Sequence, residues 1–302
     1  MNRIIILMLA LMTVFTGCEN HNNEAILLVT FGSSYEAPQQ TFKTIDAAFK
    51  NHYPELDVSW AYTSSFIIKK LREGRGGGSL KGQKIINYTP EEALRLLAKK
   101  GYTQINVQSL HIIPGEEYDD LVETICAFTS KHPKVKINIG APLLNDANDI
   151  RYIAQMLSAK FAQQAKQGPV CFMGHGTPHK ADTMYTTLDT ELKRINPNFF
   201  VGTVEGTAFD NGITSVDGLL NTIGAINEKP MQVTLSPLMS VVGDHASNDM
   251  NGTSGESEPA KQSWRERFEA ENYQVQCDMT GLGDYPEVLA LWIQHLQTAM
   301  NQ

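Results

Sequence analysis

The chain has 302 residues, a net charge of −8, and 42% hydrophobic against 19% charged residues. Those proportions exclude wholesale disorder, and the length suffices to bury one large core or two small ones. The acidic balance argues against a general nucleic-acid or anionic-membrane surface, so nucleic acid is not expected as a partner; a local basic pocket stays open.

Residues 1–17 read as an export signal. Arg3 gives a positive start, and Ile4 to Val14 form an apolar run too short to span a bilayer. The run ends in Phe15-Thr16-Gly17-Cys18, which resembles the close of a bacterial lipoprotein signal, small residues preceding a lipidated cysteine. A conventional cleaved signal with an incidental cysteine is the competing reading. Residues 18–24 form a polar tether, so the expected location is the cell envelope, exported, with membrane contact through a lipid at Cys18. Cys126, Cys171 and Cys277 show no CxxC spacing, so neither a zinc ribbon nor a disulfide framework is signalled. Cys126 and Cys171 are expected in the core, and a single disulfide stays open.

From residue 25 the chain alternates strand and helix patterns. AILLVTF (25–31) is a continuous apolar run, as in a strand covered on both faces. Phe42, Ile45, Phe49 and His52 mark a helix; DVSWAYT is a strand and SSFIIKKLRE a short helix. The glycine-rich GRGGGSLKG lacks the GxxxxGK[ST] spacing of a phosphate loop and reads as a mobile loop. Thr89, Pro90 and Glu92 open the next helix with a capping box, and Gly101 closes it. QINVQSL is a strand, EEYDDLVETICAFTS a helix and KVKINIG a strand.

The second half repeats the pattern. Ile150, Ile153, Leu157 and Phe161 line a helix, PVCFM is a strand, and Met184, Leu188, Leu192 and Ile195 line a helix. FFVGTV, MQVTLSPL and YQVQC are strands, with helices at SVDGLLNTIGAI, SWRERFEAEN and PEVLALWIQHLQ. Such alternation implies an α/β fold with parallel sheets and helices on both faces. Leu110 to Asp120 can be laid on Leu238 to Asn248, and TFGSS on FMGHG, which suggests a duplicated unit. The expectation is therefore two similar doubly wound domains, 25–143 and 144–285. A C-terminal helix over 286–302 could pack back on the first domain.

His175, Glu205 and His245 sit at the predicted carboxyl ends of strands, the edge where open parallel sheets bind ligands. Two imidazoles and a carboxylate suit a divalent first-row metal with open coordination positions. A lone strand-end histidine is more often a turn residue; three ionisable groups at one edge make metal binding an equal alternative. Gly174 and Gly176 flank His175 and would let backbone and ligand approach closely. No serine stands in a GxSxG elbow, and TFGSSY lacks the GxGxxG of a nicotinamide site.

Several long segments, in order, resemble the anaerobic cobalt chelatases of the CbiK type, class II tetrapyrrole chelatases. They are LLVTFGSSY, AYTSSFIIKKL, VQSLHIIPGEEYDDL, FMGHGTPHKADTMY, GTVEG and PLMSVVGDHASNDMNG. The resemblance implies a cleft between two similar domains, with His175, Glu205 and His245 as metal ligands and catalytic bases. It also implies that Phe31, Gly32, Ser33, Ser34 and His111, together with Gly174, line the tetrapyrrole cleft. The activity implied is a lyase-type insertion of Co2+, or Fe2+, into sirohydrochlorin. Lys69, Lys70, Arg72 and Lys180 are candidate cations for the macrocycle's carboxylates. Export sits awkwardly with corrin synthesis, so an envelope haem- or tetrapyrrole-binding lipoprotein is the alternative. A homo-oligomer stays compatible with the sequence.

Overall fold

The computed structural model describes residues 23–225 and 232–302. The export signal, Cys18 and nearly all of the tether lie outside the described residues. The first half runs β1 (Glu24–Thr30), α1 (Ala37–His52), β2 (Asp57–Tyr62), α2 (Ser65–Arg72), α3 (Pro90–Lys99), β3 (Gln104–Ser109), α4 (Glu116–Lys131) and β4 (Lys136–Gly140). The second opens with α5 (Ala147–Lys160), the short α6 (Gln164–Gln167), β5 (Val170–Gly174), α7 (Thr183–Ile195) and β6 (Phe199–Thr203). It continues with the single turn α8 (Thr207–Asp210), α9 (Val216–Gly224), β7 (Gln232–Pro237), α10 (Trp264–Ala270), β8 (Gln274–Cys277) and α11 (Pro286–Met300).

Local chemistry accounts for the helix starts. Thr89 accepts the Glu92 amide while the Glu92 carboxylate takes the Thr89 amide, and Pro90 occupies the first turn, where its missing N–H costs nothing. Asp146 with Asp149, and Ser263 with Glu266, repeat the device at α5 and α10.

The strands form two four-stranded sheets ordered β2-β1-β3-β4 and β6-β5-β7-β8, with every pairing parallel. Both follow the order second, first, third, fourth within their half, as the internal echo in the sequence leads one to expect. In each, the chain moves outward on one side of the first strand and then returns to the other. A crevice therefore opens beyond the carboxyl ends of β1 and β3, and a second beyond β5 and β7.

Side-chain alternation divides each sheet between two cores. Ala25, Leu27 and Val29 face an outer layer with Leu94, Leu97, Leu121 and Phe128. Ile26 and Leu28 face a central layer that also holds Phe49, Ile153, Phe161, Phe172, Trp292 and Leu296. Cys171 and Met173 close the far side of the second sheet with Phe200, Trp264 and Phe268. The central layer is continuous from one sheet to the other. Helix α11 lies against β3 and β4 of the first sheet, and α5 against α7.

Two expectations are corrected. Cys126 is exposed, because α4 buries Leu121, Ile125 and Phe128, and the residue after Ile125 is turned about 100° toward solvent. Cys171 is buried, and Cys126, Cys171 and Cys277 are all free thiols. The glycine-rich segment is tied down: an Arg75–Lys81 bridge closes it. The Gly77 amide donates to the Ser34 carbonyl at 2.8 Å, and the Ser79 amide to the Glu36 carboxylate at 3.0 Å.

Phe172 is fully buried on β5, edge-on to Phe161 at 5.2 Å and stacked near Phe199. Replacing Phe172 with Ala should cost about 3–5 kcal/mol in urea denaturation. A loss below about 1 kcal/mol would contradict the shared central layer.

Candidate functional site

Strand β5 ends at Gly174 with no room for a side chain: a Cβ there would lie 2.5 Å from the Tyr185 ring. His175 follows, and its carbonyl accepts the amides of Val204 and Glu205, each at 3.1 Å. Gly176 adopts φ +84°, and a Cβ on it would meet the Glu205 carbonyl oxygen at 1.9 Å. The two glycines thus let the His175 turn press against the turn that carries Glu205. Asp182, 3% exposed, locks the arrangement. One of its oxygens accepts the Thr177 amide at 3.1 Å and the other the Ala208 amide at 2.8 Å.

The third member arrives from β7. Past Pro237 the chain turns to Asp244 and His245 and enters a π-helical turn, Ala246–Met250, a form that concentrates at functional sites. The His175 and His245 rings meet edge to face, centroids 4.7 Å apart, and Glu205 Oε1 lies 3.4 Å from His175 Nδ1. The structure therefore brings His175, Glu205 and His245 together at one end of the second sheet. Their side chains are about half exposed, at 42%, 55% and 40%. Among the described residues no three His, Cys, Asp or Glu side chains are already gathered closely enough to cage an ion. The set is open to the cleft.

Hydrogen bonds choose the nitrogen that each histidine offers. His175 Nδ1 donates to the Gly176 carbonyl at 2.9 Å, and His245 Nδ1 donates to Asp249 Oδ2 at 2.5 Å. In the neutral tautomers both lone pairs then reside on Nε2, as in carboxylate-oriented metal histidines. The Asp249 hydrogen bond raises the His245 pKa above the ordinary value; burial opposes it, and the Asp249, Asp244 and Glu205 charges add to the rise. A cation arriving at Nε2 would relieve the same negative field.

The opposite wall is the carboxyl edge of the first sheet. Phe31, directly after β1, is 50% exposed. Gly32, at φ +94°, lies against Tyr62, where a Cβ would meet the ring at 2.4 Å. Ser33 and Ser34 are buried: Ser33 Oγ accepts the Tyr35 amide at 3.2 Å, and Ser34 Oγ has no partner among the described residues. His111 Nδ1 is 2.9 Å from Ser109 Oγ and Nε2 is 3.4 Å from Thr63 Oγ1. Burial pushes its pKa down to about 4 against the pull of Glu117, so the ring is neutral at neutral pH. Lys70 Nζ stands 5.7 Å from the Tyr35 ring centroid, whereas Arg72 is engaged by Glu92 and the Asn87 carbonyl.

Several residues that shape the site carry weak sequence signals. Asp249 follows His245 by four positions and was readable once a helical turn was assumed there. Asp182 and Tyr35 were not, because their partners lie on other elements. His179 is a helix-entry residue, as its sequence position suggests: its Nδ1 accepts the Ala181 amide at 3.2 Å.

A family model described as cobalt chelatase (CbiK) matches residues 24–301. Sirohydrochlorin cobaltochelatase CbiKC of Nitratidesulfovibrio vulgaris is 33% identical over 279 residues, covering 92% of this chain and 91% of that protein. A sirohydrochlorin cobaltochelatase of Salmonella typhimurium is also 33% identical, over 92% of this chain and 97% of its own length. Among solved structures, SirB from Bacillus subtilis with Fe3+ superposes with a TM-score of 0.60 at 16% identity, covering 92% of this chain and 96% of that one.

Replacing Asp182 with Ala would strand the buried Thr177 and Ala208 amides. The expected loss is about 1–3 kcal/mol per unsatisfied group, read from urea denaturation. Wild-type stability would refute the pinning role.

Proposed function

The chain belongs to the cobalt chelatase (CbiK) family, and from that premise we propose that it inserts Co2+ into sirohydrochlorin, acting as a metal-insertion lyase. The observation that carries the reading is that His175, at the switch point of the second sheet, lies against both Glu205 and His245.

Insertion exchanges one divalent cation for two pyrrole protons, so the site must bind the ion loosely and accept protons. Two Nε2 lone pairs from histidines whose Nδ1 atoms are held elsewhere can hold the metal on one side. That leaves coordination positions for the pyrrole nitrogens. Glu205 lowers the net charge of the bound ion and is a base for a departing proton. As the metal passes to the macrocycle, the vacated imidazoles can take up a proton, and the Asp249 hydrogen bond favours the charged form of His245. Phe31 gives the macrocycle an apolar surface to lie against, and Lys70 stands at the same wall as a cation for a peripheral carboxylate.

We further propose that the protein is an exported lipoprotein anchored at Cys18. The support is the signal pattern of residues 1–18. The anchor would join the fold at Glu24, the amino end of β1, on the sheet edge opposite the cleft. Six residues reach at most about 20 Å, so the cleft would open away from the membrane.

With anaerobic sirohydrochlorin and Co2+, alanine variants of His175, Glu205 and His245 should each lose at least ~100-fold in insertion rate by absorbance. Full activity in the two histidine variants would overturn the assignment. Replacing Cys18 with Ser should move the protein from the membrane to the soluble fraction; an unchanged distribution would refute the anchor.

A further inference from the structure

The metal-binding side chains all belong to the second domain, yet both histidine turns are gripped by the first. Tyr35, in the turn after β1, donates its hydroxyl to the Asp244 carboxylate, the residue before His245. Asn248 donates to the same Tyr35 oxygen at 3.3 Å and to Asp244 at 2.7 Å. Asp244–Asn248 and His245–Asp249 are thus adjacent i,i+4 pairs that join the residues leading into the π-helical turn to the turn itself, the first held by Tyr35 and the second carrying the ligand. The Asp244 carboxylate also lifts the Tyr35 pKa above its ordinary value, so the hydroxyl keeps its proton to donate.

The other histidine turn is gripped in the reciprocal way. His179, four residues after His175, has its Nε2 3.3 Å from Asp119 Oδ2 of α4, within ion-pair range. Because His179 Nδ1 accepts the Ala181 amide, the neutral ring carries its proton on Nε2, the nitrogen nearer the carboxylate. The turn after the first strand of each sheet therefore meets the segment after the third strand of the other. Ser240 adds a bond on the line between them, donating to the Leu110 carbonyl at 2.6 Å.

We propose that Tyr35 and Asp119 are positioning residues for the metal site: from across the cleft they set the separation and aim of the His175 and His245 turns. Neither donates to the ion. Metal affinity then depends on first-domain side chains, so the site is assembled only when the two domains are engaged. This rests on His175 and His245 being the metal ligands.

The test is anaerobic titration of Co2+ alone into the full chain, followed by visible absorption and calorimetry. Tyr35→Phe deletes one hydroxyl and keeps the ring; Asp119→Ala removes an exposed carboxylate. Each should weaken Co2+ binding by roughly 10-fold, as expected for an outer partner of a metal ligand, with the unfolding midpoint near wild type. In the insertion assay KM for Co2+ should rise more than KM for sirohydrochlorin. Wild-type Co2+ affinity in both variants overturns the inference, and so does a Tyr35→Phe effect seen only once tetrapyrrole is present, which would make Tyr35 a macrocycle contact. His245→Ala, run beside them, tests the underlying reading. If it leaves Co2+ binding intact, the ligand assignment itself fails; if it abolishes binding while the two variants do not weaken it, only the positioning role fails.

Discussion

The continuous apolar layer between the two sheets is the constraint on which the rest of the molecule depends. Ile26 and Leu28 reach it from β1 and Phe172 from β5, and α1, α5, α7 and α11 supply much of the rest. Since close-packed interiors yield little to small forces, this layer fixes how far apart the two carboxyl-terminal edges stand. Everything chemical is mounted on those edges.

Above that layer, polar contacts replace apolar ones as the means of precision. Asp182 satisfies backbone amides from two turns with one buried carboxylate, so the His175 and Glu205 turns behave as one piece. Gly174 and Gly176 are needed because Tyr185 and the Glu205 carbonyl already fill the space of a Cβ. The His245 turn is seated by Ala246 and Met250, both fully buried, Met250 among the core residues of its own sheet, and it is held further by Asp249 and by Tyr35 across the cleft. Each half of the site is thus packed within its own domain and also touched from the other one.

Much of the architecture was legible because its causes are local. The Thr89–Pro90–Glu92 start of α3 is a matter of three adjacent residues satisfying orphan amides. Runs such as AILLVTF and PVCFM announce strands covered on both faces, and both are central strands of parallel sheets. The echo between residues 110–120 and 238–248 matches the identical strand order of the two halves. Cys126 was misjudged because one step along a helix swings a side chain by about 100°, so a residue beside the apolar stripe reads as part of it. The glycine-rich segment was misjudged because its restraint comes from Ser34 and Glu36, some forty residues earlier in the chain.

By itself the sequence determined the alternation of strands and helices, the duplicated unit and the candidates His175, Glu205 and His245. These follow from periodicity, capping and position at strand ends, all of which are short-range properties. Tertiary structure alone decided that His175 comes to lie against both Glu205 and His245, which nitrogen each histidine presents, and that Tyr35 and Asp119 reach the histidine turns from the other domain. The reason is physical. Hydrogen bonds and ring contacts act over about 3–5 Å, and residues such as Tyr35 and Asp244, two hundred positions apart, come within that range only when both sheets pack on their common core.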